Sequence, residues 1–322
     1  AKDEIVHRTV ALTMVLLQFG VATASLWEAA VGLWTHVLLF RRVAFGLLEA
    51  VYTFAPDSGS VARPSSAAQD EMALLLVFAP LLVADIRAPV STTVTACDAS
   101  SWACAGVTAD FDEAVVRELW RFRDKRGGYV RCETPFEALS RDILEAGAAA
   151  DVSMLEEALA EDGAALPRTT AHERQFSWVS ELADAVGWRS QFRYPARLSD
   201  HINLKEARAY RTVVRRIAGN AGGHNRRHLT LQDSFVVRGA SAKGRSSTRK
   251  LNGVLRPGVP EVLAANITVG SLAVPTKHNP ADAPTRDSPV RRRPAIACPA
   301  SLADLARGEY VEWDARYGAG PR

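Results

Sequence analysis

After residue 88 the chain alternates between two periodicities, and this constrains its fold more than any other feature. Val90, Thr92, Val94 and Ala96 alternate with Ser91, Thr93 and Thr95, a period-two pattern that reads as a strand ending at Asp98. Residues 186–197 (VGWRSQFRYPAR) read as a second strand. A third, 228–232 (HLTLQ), runs straight into Asp233, and a last one, 267–275 (ITVGSLAVP), leads into TKHNPADAPTR. Between them, 201–218 carries helical periodicity and is stopped by Gly219, Gly222 and Gly223. Residues 247–264 read as helix interrupted at Pro257–Pro260. Residues 111–125 and 134–165 are charged, rich in Ala and Glu, and helical in pattern. Strands interleaved with helices give an α/β layered domain.

Ahead of this lies a different kind of sequence. Residues 9–54 read as two or three helices with wide apolar faces, and 55–70 (APDSGSVARPSSAAQD) as a Pro/Gly/Ser loop. Val10 to Trp27 is an uncharged, mostly apolar run at the lower limit of a membrane span, and Lys2 and Arg8 before it imitate a signal peptide. Thr13, Gln18, Gly20, Thr23 and Ser25 interrupt it, and a second apolar run, Met72 to Ala84, is short and holds Pro80. Buried helices are the better account of both, so no membrane partner is expected.

The length of 322 residues suits two domains, or one with an appendage, and 48% hydrophobic against 23% charged residues excludes a disordered chain. Four cysteines with no CxxC pair exclude a disulfide scaffold and zinc-finger spacing. They read as reduced thiols, hence an intracellular protein, cytoplasmic or nuclear. The net charge of +3 conceals an asymmetry: residues 91–200 hold 12 basic and 19 acidic side chains, residues 201–293 hold 18 and 5. So basic a stretch can hold a polyanion, of which nucleic acid is the commonest.

Four acids fall at element ends or in apolar surroundings: Asp98, Glu206, Asp233 and Asp282. A carboxylate among apolar residues is costly unless a cation or a partner compensates it. Converging carboxylates suit hard divalent ions, which prefer oxygen donors, and a pair of such ions serves phosphodiester cleavage. Taken singly, each acid has a plainer reading as a cap, turn or helix-surface residue.

Their order and flanking residues go further. TACDASSWACAGV (95–107), HINLKEARA (201–209), LTLQDSFVV (229–237) and HNPADAPTR (278–286) resemble the ribonuclease H domain of reverse transcriptases, most closely those of DIRS-like retrotransposons and similar elements in protist genomes. KGRSSTRKLNGVLR (243–256) is similar to the segment after that family's third acid. The resemblance implies a ribonuclease H-like mixed five-stranded sheet with flanking helices over about 91–290. It implies catalytic and metal-ligating roles for Asp98, Glu206, Asp233 and Asp282, with two Mg²⁺ ions (Mn²⁺ as a substitute). In that scheme Asp98 bridges the ions, Glu206 and Asp233 complete one site and Asp282 the other, and the RNA strand of an RNA–DNA hybrid is cut.

The 108-residue interval from Asp98 to Glu206 is long for this family, so about 110–185 reads as a helical insertion. Ala103 and Cys104 stand where the family often has glycines. Residues 1–90 resemble, more weakly, the thumb or connection region between polymerase and ribonuclease H. With no Y-x-D-D string the chain lacks a polymerase site, and the polymerase portion of the same polyprotein becomes an expected partner. Residues 291–322 read as a basic, Pro-rich tail, in which Arg291–Arg293 are a localisation signal, a nucleic-acid contact or a charged linker.

Among the remaining residues, Ser100 and Asn203 are candidates for the hybrid backbone, and Lys243, Arg245, Arg249 and Lys250 for phosphate binding. Asn279 is expected to fix the loop presenting Asp282. His278 is either a turn residue or an aid to proton transfer, and Trp102 and Cys97 read as core. The alternative to an enzyme is a catalytically silent nucleic-acid-binding relic of a retrotransposon polyprotein.

Overall fold

The structure, a computed structural model, describes residues 3–125 except 55 and 58, residues 177–310, and residue 313. The helix expected at 134–165 lies outside the described residues.

The apolar N-terminal run does not make one helix. Helix α1 (Asp3–Phe19) ends at Gly20, whose φ of +67° turns the chain, and α2 (Ala24–Leu38) starts anew with Thr23 as its cap. Two 3₁₀ turns, Arg42–Leu47 and Ala50–Thr53, lead to α3 (Ser66–Phe78), capped by Ser65. Trp27, Trp34, Leu38, Leu48, Met72 and Leu75 form their shared core, which Val259 and Leu263 from the C-terminal half complete. The indoles are satisfied, Trp34 Nε1 donating to Thr13 Oγ1 at 2.8 Å and Trp27 Nε1 to the Val51 carbonyl at 2.9 Å. Buried Glu71 accepts from the amides of Glu49 (2.7 Å) and Val51 (3.1 Å) and pairs with Arg256 at 3.3 Å. That compensation is what makes its burial tolerable. No helix among the described residues is long and apolar enough to cross a membrane.

The rest is an α/β layer built on a mixed five-stranded sheet. Its strands are β1 (Thr93–Ala99), β2 (Ala103–Asp110), β3 (Arg189–Pro195), β4 (Arg227–Gln232) and β5 (Thr268–Ala273), in the order β3-β2-β1-β4-β5. The first three are antiparallel, with a bulge between Gly106 and Val107, and β1, β4 and β5 are parallel. Strand β2 is absent from the sequence reading. Its ACAGVTAD is small and poor in β-branched residues, and Gly106 is required because a Cβ there would fall 2.3 Å from the Phe192 ring.

Helices cover both faces. Along β1, Cys97 and Ala99 join the core beneath α6 (Ile202–Ala218), α7 (Phe235–Lys243), α8 (Arg249–Leu255) and α9 (Val259–Ala264). Val94 and Ala96 join the opposite core beneath α4 (Glu113–Leu119), α5 (Ser177–Asp184) and the later α11 (Ala300–Ala306). Helix α6 matches the sequence reading closely: His201 caps it, and Ala207, Tyr210, Val213, Val214 and Ile217 form its buried stripe.

Two segments at the expected boundaries pack into the core. Both edges of the expected insertion belong to the core, through Val115, Val116, Leu119 and Trp120 at one side and Trp178, Val179 and Leu182 at the other. The C-terminal segment does not trail free either. Leu302, Leu305 and Trp313 are buried there, and Arg291 donates to Asp184 Oδ1 at 2.6 Å and to the Ala183 carbonyl at 2.5 Å.

The junction between the two regions supplies a test. Gly244 caps α7 at φ +82°, where a Cβ would lie 1.7 Å from the Arg42 carbonyl oxygen, whereas Gly253 in α8 faces open space. Gly244→Ala is expected to destabilise the chain by at least about 2 kcal/mol, and Gly253→Ala to stabilise it by about 0.5–1 kcal/mol. Urea unfolding of the two variants beside the parent checks both signs.

Candidate active site

Parallel strands present their carboxyl ends at one edge, and the side chains there come from loops the sheet holds in place. In the β1–β4 register Ala96 pairs with Leu231. Two residues on, the same register brings Asp98 level with Asp233. Asp98 is 6% exposed, on the last turns of β1 before the hairpin, and Asp233 follows β4 directly. Glu206 comes to this edge from the second turn of α6, and Asp282 opens the short helix α10 (Asp282–Thr285), which packs against β1 and β2.

The four acids influence one another electrostatically. Burial, first, and then Asp233, Asp282 and Glu206 push the Asp98 carboxyl up to about 8, against the backbone amide of Ala99, which favours its anion. Burial also raises Glu206, a shift that Ser234 opposes and Asp233 reinforces. The Cys97 thiol behind them is pushed well up by burial and by Asp98, Asp233 and Glu206. The sequence reading of Cys97 as core holds, at 4% exposed.

Each acid also has its own polar neighbour. Buried Asn279 donates from Nδ2 to Asp233 Oδ1 and to the Cys97 carbonyl, both at 3.3 Å, while its Oδ1 accepts from the Ala281 amide at 3.1 Å. It thus ties the Asp282 loop to β1 and to Asp233 together, a wider role than fixing one loop. The Ser234 hydroxyl donates to Glu206 and accepts from the Val237 amide as the cap of α7. The Thr285 hydroxyl, fully buried, donates to the Asp282 carbonyl at 2.7 Å and lies 3.4 Å from Asp98 Oδ2, where a protonated Asp98 can donate to it. Arg286 Nε reaches both oxygens of Asp282, at 2.9 and 3.0 Å. Ser234 and Thr285 were not singled out from the sequence. The only signal for them is adjacency to an acid motif.

The other candidates divide. Asn203 lies three residues before Glu206, hence on the same face of α6. Ser100 lies beside the acids, but its hydroxyl is committed to the β1–β2 turn. It accepts from the amides of Trp102 and Ala103, both at 3.1 Å, and donates to the Thr285 carbonyl at 2.9 Å. Trp102, expected in the core, is 70% exposed at this turn. His278 turns to Asp184, at 2.7 Å. The basic cluster is farther off, because α7 carries the chain about 13 Å from Asp233 before Lys243 is reached. Arg245 lies 4.5 Å above the Tyr52 ring and Arg249 pairs with Glu49 at 3.0 Å, so both fasten the N-terminal region. Lys243 and Lys250 are exposed.

An unforeseen cation also sits here. Lys205, 6% exposed, donates from Nζ to the Ser101 carbonyl at 3.0 Å and so pins the hairpin turn to α6.

Among the described residues no three His, Cys, Asp or Glu side chains stand where they could together hold a metal ion. The donor chemistry nevertheless fits Mg²⁺, which takes oxygen ligands only and is usually held by one or two carboxylates, with water and phosphate oxygens completing the shell.

The raised Asp98 carboxyl has a consequence for stability. Between its ordinary value of 3.8 and about 8 the folded chain retains a proton that the unfolded chain releases, so stability falls as pH rises through that window. Asp98→Asn is expected to flatten this fall and to melt above the parent near pH 8, with little difference near pH 4; thermal melts of both proteins across the window check it. A parent whose stability is level through the window would contradict the burial of Asp98 among acids.

The chain matches no protein family, no curated protein and no solved structure, so its four acids and their surroundings carry the functional reading by themselves.

Proposed function

We infer that this chain is a metal-dependent endonuclease of the ribonuclease H kind, hydrolysing the RNA strand of RNA–DNA hybrids as the C-terminal part of a retrotransposon reverse transcriptase. The observation that carries this reading is the gathering of Asp98, Glu206, Asp233 and Asp282 at the carboxyl edge of two parallel strands, with Asp98 held at about 8 by burial and by the other three. A site that concentrates negative charge in a partly buried place, against its own stability, is the expected signature of a missing counter-charge. The mixed five-stranded sheet with helices on both faces is compatible with the same fold.

In this reading Asp98, Glu206, Asp233 and Asp282 hold Mg²⁺ or Mn²⁺, which when bound supplies water activation and neutralises charge at the scissile phosphate. The chain's own contribution is placement. Asn279 fixes Asp233 relative to β1, Ser234 holds the Glu206 carboxylate, and Thr285 and the Ala99 amide hold Asp98. Asn203, on the Glu206 face of α6, is placed to meet the hybrid backbone. Recognition of RNA would come through 2′-hydroxyls across the wide minor groove of the hybrid. The exposed Lys243 and Lys250 remain candidates for more distant phosphates.

One observation favours the second reading, a silent nucleic-acid-binding relic. Arg286 occupies both oxygens of Asp282.

A labelled RNA–DNA hybrid incubated with the chain and Mg²⁺ separates the two. The enzyme reading expects cutting of the RNA strand alone, abolished by EDTA and reduced to background by Asp98→Asn and by Asp233→Asn, with hybrid binding retained. Binding without cutting supports the relic, and cutting that survives both substitutions removes these acids from the chemistry.

A further inference from the structure

A second site stands apart from the acids. The amino end of β5, helices α6 and α9, and the 3₁₀ turn Arg42–Leu47 enclose a cavity of about 390 Å³. It borders Thr268–Gly270 at the start of β5, whereas Asp98 and Asp233 lie at the far ends of the parallel strands.

The charged side chains that line this cavity are nearly all cationic. Arg41, Arg42, Arg123, Lys125 and Arg211 face a single carboxylate, Asp124, and that one is paired with Arg238 at 3.0 Å. Arg41 is the most deeply placed, at 5% exposed. Its guanidinium is held by neutral oxygens alone, Nη1 donating to Thr268 Oγ1 and Nη2 to the Val262 carbonyl, each at 3.3 Å. The Nε atoms of Arg41 and Arg211 are sealed from solvent without a hydrogen-bond partner. Neither side chain meets a carboxylate among the described residues. Burial lowers the pKa of the Arg41 guanidinium, as expected of a cation without a counter-charge. The floor is apolar, formed by Tyr210, Val214 and Ile267.

Leaving a cation buried without a counter-charge is costly. Nothing within the described chain offsets this, and an anion entering the cavity would. Guanidinium forks match phosphate and carboxylate oxygens in bidentate fashion, and several forks converging from different elements suit the tetrahedral dianion better than the planar monoanion. A cavity of this size with an apolar floor also accommodates an organic body, within the usual range of about 300–1,000 Å³ for small-molecule sites. We propose that this cavity binds an organic phosphate monoester, its phosphate on Arg41 and Arg211 and its apolar body on the Tyr210–Ile267 floor.

The test is calorimetric titration of the full chain with phenyl phosphate, benzoate and inorganic phosphate. Phenyl phosphate is expected to bind about tenfold or more tightly than either of the others, and Arg41→Met and Arg211→Gln each to weaken it about tenfold or more. Arg41→Met without ligand is expected to melt no lower than the parent, because an apolar side chain replaces an uncompensated charge. Should Arg41→Met fail to fold, Arg211→Gln, at a less buried position, still decides the question. Asp98→Asn is expected to bind phenyl phosphate as the parent does, which keeps this site separate from the acidic one. No binding of phenyl phosphate, benzoate binding as tightly, or affinity unchanged in both arginine variants would each overturn the proposal. So would displacement by an RNA–DNA duplex whose own binding is lost in Arg41→Met, in favour of a nucleic-acid surface.

Discussion

Because β1 and β4 run parallel and side by side, their carboxyl ends share one edge of the sheet, and Asp98 and Asp233 are brought level by a register set several residues earlier. Everything else at the site is hung on that pairing. The side chains of Thr95 and Thr230 meet at 2.9 Å inside the pair, and the amide of Asn279 links the Cys97 carbonyl to Asp233 across its end. Helix α6 packs over β1 and delivers Glu206, and α10, tied to the hairpin through Ser100 and Thr285, delivers Asp282. A one-residue slip of β1 against β4 would turn Asp98 to the other face and bring Cys97 to the edge. The buried, small residues along β1 resist such a slip, since Val94 and Ala96 fit one core and Cys97 and Ala99 the other.

How much of this was legible in the sequence follows from which physical signal each element carries. Helix α6 announces itself through its helical periodicity and terminal glycines, β1 through the alternation of Val and Thr ending at an acid, and β4 through Leu alternating with polar residues up to an acid. Strand β2 carries no such signal. Alanine, cysteine and glycine favour no strand, and its identity depends on a hairpin partner and on the Phe192 ring above Gly106. The core residues at both edges of the expected insertion, among them Trp120 and Trp178, were not legible because the sequence between the edges is charged and rich in Ala and Glu. Trp102 was misread for the opposite reason: an indole in a tight turn has nothing to pack on, whatever its hydrophobicity. Of the site, the acids were legible and their partners were not, since Ser234 and Thr285 act only through distances that the fold creates.

The basic stretch from 201 to 293 shows how charge counting overreaches. Part of its excess is structural: Arg256 neutralises Glu71, Arg249 meets Glu49, and Arg245 stacks on Tyr52, all between the N-terminal helices and the segment after α7. These contacts bind the two halves of the chain, together with Val259 and Leu263 in the N-terminal core. Arg41 crosses in the other direction, from the N-terminal region to the Val262 carbonyl and Thr268. The cavity lies on this seam, so Arg41, which helps to join the two regions, also leaves charge there without a carboxylate partner.

The two sites share one physical logic with opposite sign. At the carboxyl edge of the sheet, acids are crowded until one of them keeps its proton far above the usual carboxylate range. Along the seam, the Arg41 guanidinium is buried with only neutral oxygens to hold it. Either arrangement lowers the stability of the chain by itself, and a fold selected for stability alone would replace Asp98 with an amide and Arg41 with an apolar residue. Local conflicts of this kind persist where something outside the chain resolves them. A cation would relieve the first and an anion the second. Because the two conflicts lie at opposite ends of the parallel strands, each can be relieved without the other.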